Sequence, residues 1–192
     1  PIVVYEVLAP GRSRSRVDVH AEEGLGQFVG RRVELDALVE RFNQARLSSG
    51  QVVFIAGEAG LGKSRLIHER RRRLEGEDVT WLVGRCSSYG AEVSYLPVID
   101  LLKDGFEIEE SDNGPKIADK LEAGLADLNV DPEHVPYLRY ILSAEVGDVS
   151  VAADDPQLRK ARIFEALRAV MLTVATDRPL VIVVEDLHWM DR

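Results

Sequence analysis

From Arg31 onward, apolar side chains fall at Val33, Leu35, Leu38, Val39 and Phe42. This near-helical spacing predicts a helix, which Ser48, Ser49 and Gly50 stop. Gln51–Ala56 (QVVFIA) is then a compact apolar run, the pattern of a strand buried on both faces of a parallel sheet. A helix from Lys63 to about Leu74 follows, then a strand over Val79–Val83 and a loop over residues 84–94. Helices are predicted at 96–103, 115–128 and 134–142, separated by Gly, Pro, Asp and Asn. Asp155-Pro156 opens the longest helix, 157–176, with Leu158, Ala161, Phe164, Leu167, Met171 and Val174 three or four apart on one buried face. Arg178-Pro179 ends it, and Leu180–Val184 (LVIVV) is another fully buried strand. Strands alternating with helices predict an α/β layer fold around a parallel sheet.

The start of the chain reads differently. Residues 2–8 (IVVYEVL) have the Val, Ile and Tyr content of a short strand. Residues 10–26 (PGRSRSRVDVHAEEGLG) are polar and rich in Gly, Ser and Arg, which predicts a linker and a domain boundary. The absence of a methionine at Pro1, and a last residue directly after a strand and acidic cluster, lead to the expectation of a piece of a longer protein.

Composition narrows the functions. The formal net charge of −9 opposes general binding to a polyanion, so no direct nucleic-acid contact is expected of this segment. Arg70, Arg71, Arg72 and Arg73 are a local exception, read as a solvated helix end whose cations suit the helix dipole. No apolar run approaches the ~20 residues needed to span a bilayer, so no membrane is expected. Cys86 is the one cysteine, which excludes an internal disulfide and points to a reducing, cytoplasmic setting. It has no His or Cys at metal-ligand spacing and reads as a small buried hydrophobe.

The chemistry concentrates at Gly57-Glu58-Ala59-Gly60-Leu61-Gly62-Lys63-Ser64, which fills every fixed position of G-x-x-x-x-G-K-[ST]. Triphosphate oxygens need several converging donors. Backbone N–H groups converge only where the chain curls tightly, which the glycines at 57 and 62 are expected to permit. The helix opening near Lys63 points unpaired N–H groups and its positive dipole end at the anion. Lys63 is expected between the β- and γ-phosphates and Ser64 on Mg²⁺, making ATP with Mg²⁺ the expected ligand.

A second acidic signal follows Leu180–Val184. Glu185 is assigned to the metal, through a water, and Asp186 to positioning the hydrolytic water. A solvated strand end is the alternative reading of the pair. His188 and Trp189 read as packing residues.

With both motifs placed, the chain resembles the signal-transduction ATPases called STAND, in the AAA+ branch of P-loop NTPases, over about residues 26–192. It looks most like the ATPase module that follows a class III adenylate or guanylate cyclase domain in large bacterial regulators, and LuxR-type activators carry a similar module. Phe28-Val29-Gly30-Arg31-Arg32-Val33-Glu34-Leu35 resembles the family's opening FVGR-x-x-E-L, Gly84-Arg85-Cys86 to Tyr95-Leu96-Pro97 its segment after the second strand, and Pro179–Asp191 its Walker B stretch. The resemblance implies a three-layer αβα P-loop NTPase fold with a parallel sheet, truncated after the Walker B strand. It makes Val29, Gly30 and Arg31 candidate adenine contacts, beside Arg65 as the next residue of the phosphate site. It implies residues 1–10 as the last strand of an upstream cyclase domain, 11–25 as linker and 26–192 as the ATPase domain. The function so implied is an ATP-binding, ATP-hydrolysing regulatory switch whose partners are nucleotide and other domains of the parent chain, with self-association left open. A fragment of a cyclase and the ATPase part of a DNA-binding activator are the alternatives. A small-molecule kinase and an ABC-type ATPase are disfavoured, the latter because no LSGGQ-like signature lies between the motifs. No arginine finger or sensor residue is identified.

Overall fold

The computed structural model describes residues 26–86, 94–142 and 149–189. The predicted strand at 2–8 and the linker and domain boundary at 1–25 lie outside the described residues. The chain divides into two compact units, Pro1–Glu77 and Asp78–Arg192.

In the first unit, α1 (Arg32–Arg46) carries Glu34 in its first turn and Arg46 in its last, the arrangement the helix dipole favours. The second helix, α2 (Lys63–Arg72), begins at the predicted residue. Leu35 of α1, Leu66 of α2 and Leu74 are buried, whereas Val33, expected on the apolar face, is exposed. Two expectations need correction here. Gln51–Ala56 is not a sheet strand among the described residues, and Val52 and Phe54 are 81% and 80% exposed. A strand needs a neighbour's N–H and C=O groups, and the described part of this unit offers no second strand. The arginine run is also more than a solvated helix end. Arg70 is buried, with its guanidinium carbon 4.6 Å from the centre of the Phe42 ring. Arg72 lies 3.7 Å from Glu69 and Arg73 3.8 Å from Asp36. Arg70 thus packs α2 onto α1 and Arg73 reaches Asp36 of α1, while Arg71, Arg72 and Arg73 are exposed, as a solvated helix end requires.

The second unit contains the sheet. β1 (Thr80–Arg85) and β2 (Leu180–Glu185) pair in parallel, in register from Thr80 opposite Leu180 to Arg85 opposite Glu185. Between them run α3 (Leu96–Gly105), α4 (Gly114–Asp127), a 3-10 turn (Pro132–His134), α5 (Val135–Leu142), α6 (Val149–Ala153) and α7 (Pro156–Asp177). Local chemistry sets several starts. The Asn113 side chain accepts from the Lys116 N–H, and Asp155 accepts from Gln157 and Leu158, each with proline in the first turn. Leu121, Leu125, Leu138, Ile163 and Ala166 form the centre of one apolar core, each at most 1% exposed. Glycine at 84 has a packing reason, since a Cβ there would run into the Pro97 carbonyl. The missing side chain at Gly84 thus lets α3 approach β1 closely.

The buried face of α7 matches the expected one only in part, at Leu167 and at Val174, which packs against the core. Ile163, Ala166, Leu167 and Val170 face the core, while Leu158 and Phe164 are about half exposed. The helix is apolar on more than one side, so spacing alone admits two stripes, and packing against α5 selects the one through Ile163. No described helix is long and apolar enough to cross a membrane.

Candidate phosphate-binding site

The loop at residues 57–62 is tightly curled. Gly60 and Gly62 both sit at φ 82°, a left-handed backbone that glycine adopts without strain. Gly57, expected to share that role, has no positive φ, so the curl is carried by Gly60 and Gly62. The Leu61 N–H reaches the Glu58 carbonyl at 3.4 Å, and the Leu66 N–H bonds the Gly62 carbonyl at 2.9 Å, which starts α2. A helix beginning at Lys63 leaves its first-turn N–H groups without intrahelical acceptors, and no described side chain caps them. Lys63 folds back over the loop, donating from Nζ to the Gly57 carbonyl at 2.8 Å and the Glu58 carbonyl at 3.0 Å. The ammonium therefore lies within the curl. Ser64 is exposed beside it.

Two arginines tie the segment before α1 to this loop. Arg31, itself at φ 53°, donates to Glu34 Oε1 at 2.9 Å and to the Leu61 carbonyl at 3.2 Å. The bond from Arg31 helps hold the Glu34 carboxyl below its usual range, after the backbone N–H of Glu34 itself. Arg65 donates to Glu69 Oε1 at 2.9 Å and to the Gly26 carbonyl at 3.1 Å, and its guanidinium carbon lies 5.8 Å from the centre of the Phe28 ring. Val29 is exposed and Gly30 is left-handed at φ 74°. Arg31, Gly57, Gly62 and Lys63 border one cavity of about 440 Å³, with apolar walls from Leu38 and Val52.

The acidic pair belongs to the second unit. Glu185 ends β2, and the Arg85 Nε donates to its Oε2 at 3.2 Å across the parallel pair. The Arg85 N–H donates to Asp100 Oδ2 at 3.1 Å. Burial raises the Asp100 carboxyl above the usual range, and that hydrogen bond offsets part of the rise. Cys86 is buried as expected, and burial, then Asp186 and Asp100, push its thiol up. Asp186 is exposed at φ 58°, and its carbonyl accepts the Trp189 N–H at 2.9 Å. His188 and Trp189, read from sequence as packing residues, are both exposed, with their rings 4.9 Å apart. The sequence reading did not identify Arg85 as the partner of Glu185, nor Asp100 as the acceptor beside it. The Arg65 and Glu69 pairing was readable from its i, i+4 spacing.

The donor set of the loop fits a polyphosphate. It offers uncapped helix amides, a lysine ammonium and open space around Gly60 and Gly62, where an added Cβ would meet nothing within 4 Å. Among the described residues no group of three or more His, Cys, Asp and Glu is arranged to hold a metal by itself. Mg²⁺ at nucleotide sites takes one or two protein oxygens plus phosphate and water, so a single serine hydroxyl and a carboxylate suffice chemically. A second cavity, about 220 Å³, is lined mostly by apolar residues such as Leu82, Leu102, Phe106, Leu128 and Val170, and the guanidinium at its border, Arg178, is paired with Asp177 and Asp78.

Comparison with known proteins agrees with this chemistry. The family model described as AAA ATPase domain matches residues 27–192. An uncharacterized protein of Rhizobium meliloti (strain 1021) is 30% identical over 168 residues, which is 86% of this chain and 16% of the relative. The chain thus spans 16% of the length of that curated relative. No solved structure matches. The family match implies the P-loop NTPase fold and nucleotide binding, and the mixed helices and small parallel sheet agree with it. The curled loop with its inward lysine and the match over most of the chain lead to one statement: this chain belongs to the AAA ATPase domain family.

Proposed function

We propose that this chain is the ATP-binding, ATP-hydrolysing regulatory module of a bacterial signalling protein, built as a three-layer αβα P-loop domain. The observation that carries the reading is the Lys63 ammonium held inside the loop by the Gly57 and Glu58 carbonyls. Those carbonyls keep the cation where a phosphate would meet it, next to the uncapped amides of α2. Gly57 to Ser64 would wrap the β- and γ-phosphates, with Lys63 exchanging its carbonyl partners for phosphate oxygens. Each charge-assisted hydrogen bond so formed contributes about 1.5–3 kcal/mol net. Ser64 and Glu185 would hold Mg²⁺, which neutralises charge on the phosphates. Asp186 would orient the attacking water, and Val29, Gly30 and Arg31 would meet the adenine.

For Glu185, the reading requires that its carboxylate be shared with Arg85 or released from it, because the ion pair already occupies one oxygen. The regulatory role rests on the family resemblance, in which γ-phosphate contacts order loops that relax after hydrolysis. Other domains of the parent chain and self-association would then transmit the change.

Thermal unfolding with and without ATP and Mg²⁺ tests the reading. The wild-type chain should gain several degrees at saturating nucleotide, by mass action on the folded state. Lys63→Ala should lose that gain while keeping its melting temperature without nucleotide. An undiminished gain in Lys63→Ala would remove the loop from the binding site.

A further inference from the structure

We propose that the outer face of α7 is a self-association surface, through which two copies of this chain pair antiparallel about a two-fold axis. The face belongs to the second unit and involves none of the phosphate-loop residues. On one side α7 buries Ile163, Ala166, Leu167 and Val170. With about 3.6 residues per turn, Leu158, Ala161, Glu165, Arg168, Leu172 and Ala175 line the opposite side. All of these are exposed, Leu158 at 49% and Leu172 at 51%. Single exposed leucines are ordinary on a protein surface. The order of residues along this stripe is not.

The positions are spaced alternately three and four apart, the repeat of a seam that packs against another helix. Along the seam the residues run leucine, alanine, glutamate, arginine, leucine, alanine. That order is its own complement under reversal. Turned end for end about the midpoint between Glu165 and Arg168, the stripe sets Leu158 opposite Ala175, Ala161 opposite Leu172 and Glu165 opposite Arg168. Each layer then joins a large side chain to a small one, or an acid to a base. A two-fold contact has this property, because a residue that meets a second one must also be met by its copy. Large-to-small layers let the two helices interdigitate.

The central charges choose the orientation. Polar residues at seam positions fix register and direction at some cost in stability. A parallel, in-register pair would place the two copies of Glu165 together and the two copies of Arg168 together, and like charges repel. In the antiparallel pair, each carboxylate meets a guanidinium. Within one chain Glu165 Oε2 accepts from Arg162 at 3.0 Å, in an exposed pair that adds little stability. The other carboxylate oxygen serves the second copy. Phe164, 51% exposed, borders the seam and widens its apolar contact. At a rise of about 1.5 Å per residue the seam is about 26 Å long, a small interface. A dissociation constant of about 10–100 µM is therefore expected.

Sedimentation equilibrium of the 192-residue chain, from about 5 to 500 µM so as to bracket that constant, tests this. The average mass should rise reversibly from one chain toward two. Glu165→Arg and Arg168→Glu should each weaken the dimer by at least about tenfold, because each puts like charges in both central layers. An equimolar mixture of these two variants should dimerise again, since opposite charges then meet in both layers, and that recovery also shows that both variants fold. The chain carrying both exchanges together should dimerise as wild type does. A wild-type chain that stays monomeric throughout, a dimer indifferent to either reversal, or a mixture no better than its components would overturn the pairing.

Discussion

The two units are held together by different physics. The second is organised around one apolar core, to which α4, α5 and α7 contribute Leu121, Leu125, Leu138, Ile163 and Ala166, each at most 1% exposed. Among its described residues the first has few buried apolar ones, Leu35, Leu66 and Leu74, and arginines make much of its packing. Arg70 stacks on Phe42, Arg46 pairs with Glu77 at 3.1 Å, and Arg31 and Arg65 pin the segment before α1. Apolar burial is non-directional and scales with area. Guanidinium contacts are directional and fix particular atoms in particular places. The unit that carries the glycine-rich loop is thus the one whose contacts specify position, and the other is the one whose contacts supply bulk stability.

That contrast is testable by substitution, with amide hydrogen exchange reporting each unit separately. The largest effect is expected from Leu138→Ala, at a site with no solvent exposure. It should destabilise by about 2–5 kcal/mol and raise exchange throughout α4, α5 and α7. A loss below about 1 kcal/mol would mean the core closes around the cavity, and the contrast would weaken. Arg70→Ala should cost less, about 1–2 kcal/mol for the lost stack on Phe42 and the lost packing of its stem. Faster exchange should be confined to α1 and α2. Arg70→Lys should recover only part, because an ammonium lacks the planar face that lies on the ring. A neutral Arg70→Ala would show that Leu35 and Leu66 suffice to join these helices.

Much of this was legible in the sequence, for reasons that differ by element. The start of α2 at Lys63 followed from the loop motif, and the start of α7 from Asp155-Pro156, because caps and prolines act locally. β1 and β2 were found as apolar runs, each extending farther at its C-terminal end than predicted, to Arg85 and Glu185. Gln51–Ala56 was misjudged because pairing depends on a neighbour that no local pattern reveals. The face of α7 was placed only in part, right at Leu167 and Val174 and wrong at Leu158 and Phe164, because two apolar stripes satisfy the same periodicity and packing against α5 chooses between them. At the loop, the place of Lys63 at the start of α2 was legible because the motif's spacing encodes it. The Arg85 and Glu185 contact was not, since residues 100 apart meet only through strand register. Arg65 was placed at the phosphate site by adjacency in sequence, but its three contacts lie elsewhere.

The smallest expected effect concerns a polar cluster within the apolar unit, and it asks whether that unit rests on apolar burial alone. The Asp112 side chain is shielded from solvent, with Lys116 2.6 Å from Oδ1 and Lys120 2.7 Å from Oδ2. The Glu109 N–H donates to Oδ2 at 2.8 Å, and Lys120 also donates to the Glu107 carbonyl. Together Asp112 and Lys120 join the turn after α3 to α4. The hydrogen bond from Lys116, then that from Lys120, then the Glu109 N–H, hold the Asp112 carboxyl far below the usual carboxylate range. The folded chain therefore keeps Asp112 ionised at pH values where the unfolded chain protonates it. Its contribution is fully present above the unfolded value of about 3.9 and is lost as pH falls below that toward the folded value. Urea midpoints of wild type and Asp112→Asn should differ most near neutral pH and converge below about pH 4. Because the Lys116 side chain is 56% exposed, added salt should narrow the gap at neutral pH. A gap of the same size at acidic and neutral pH would assign the effect of the substitution to packing, and the second unit would then stand on its apolar core without this staple.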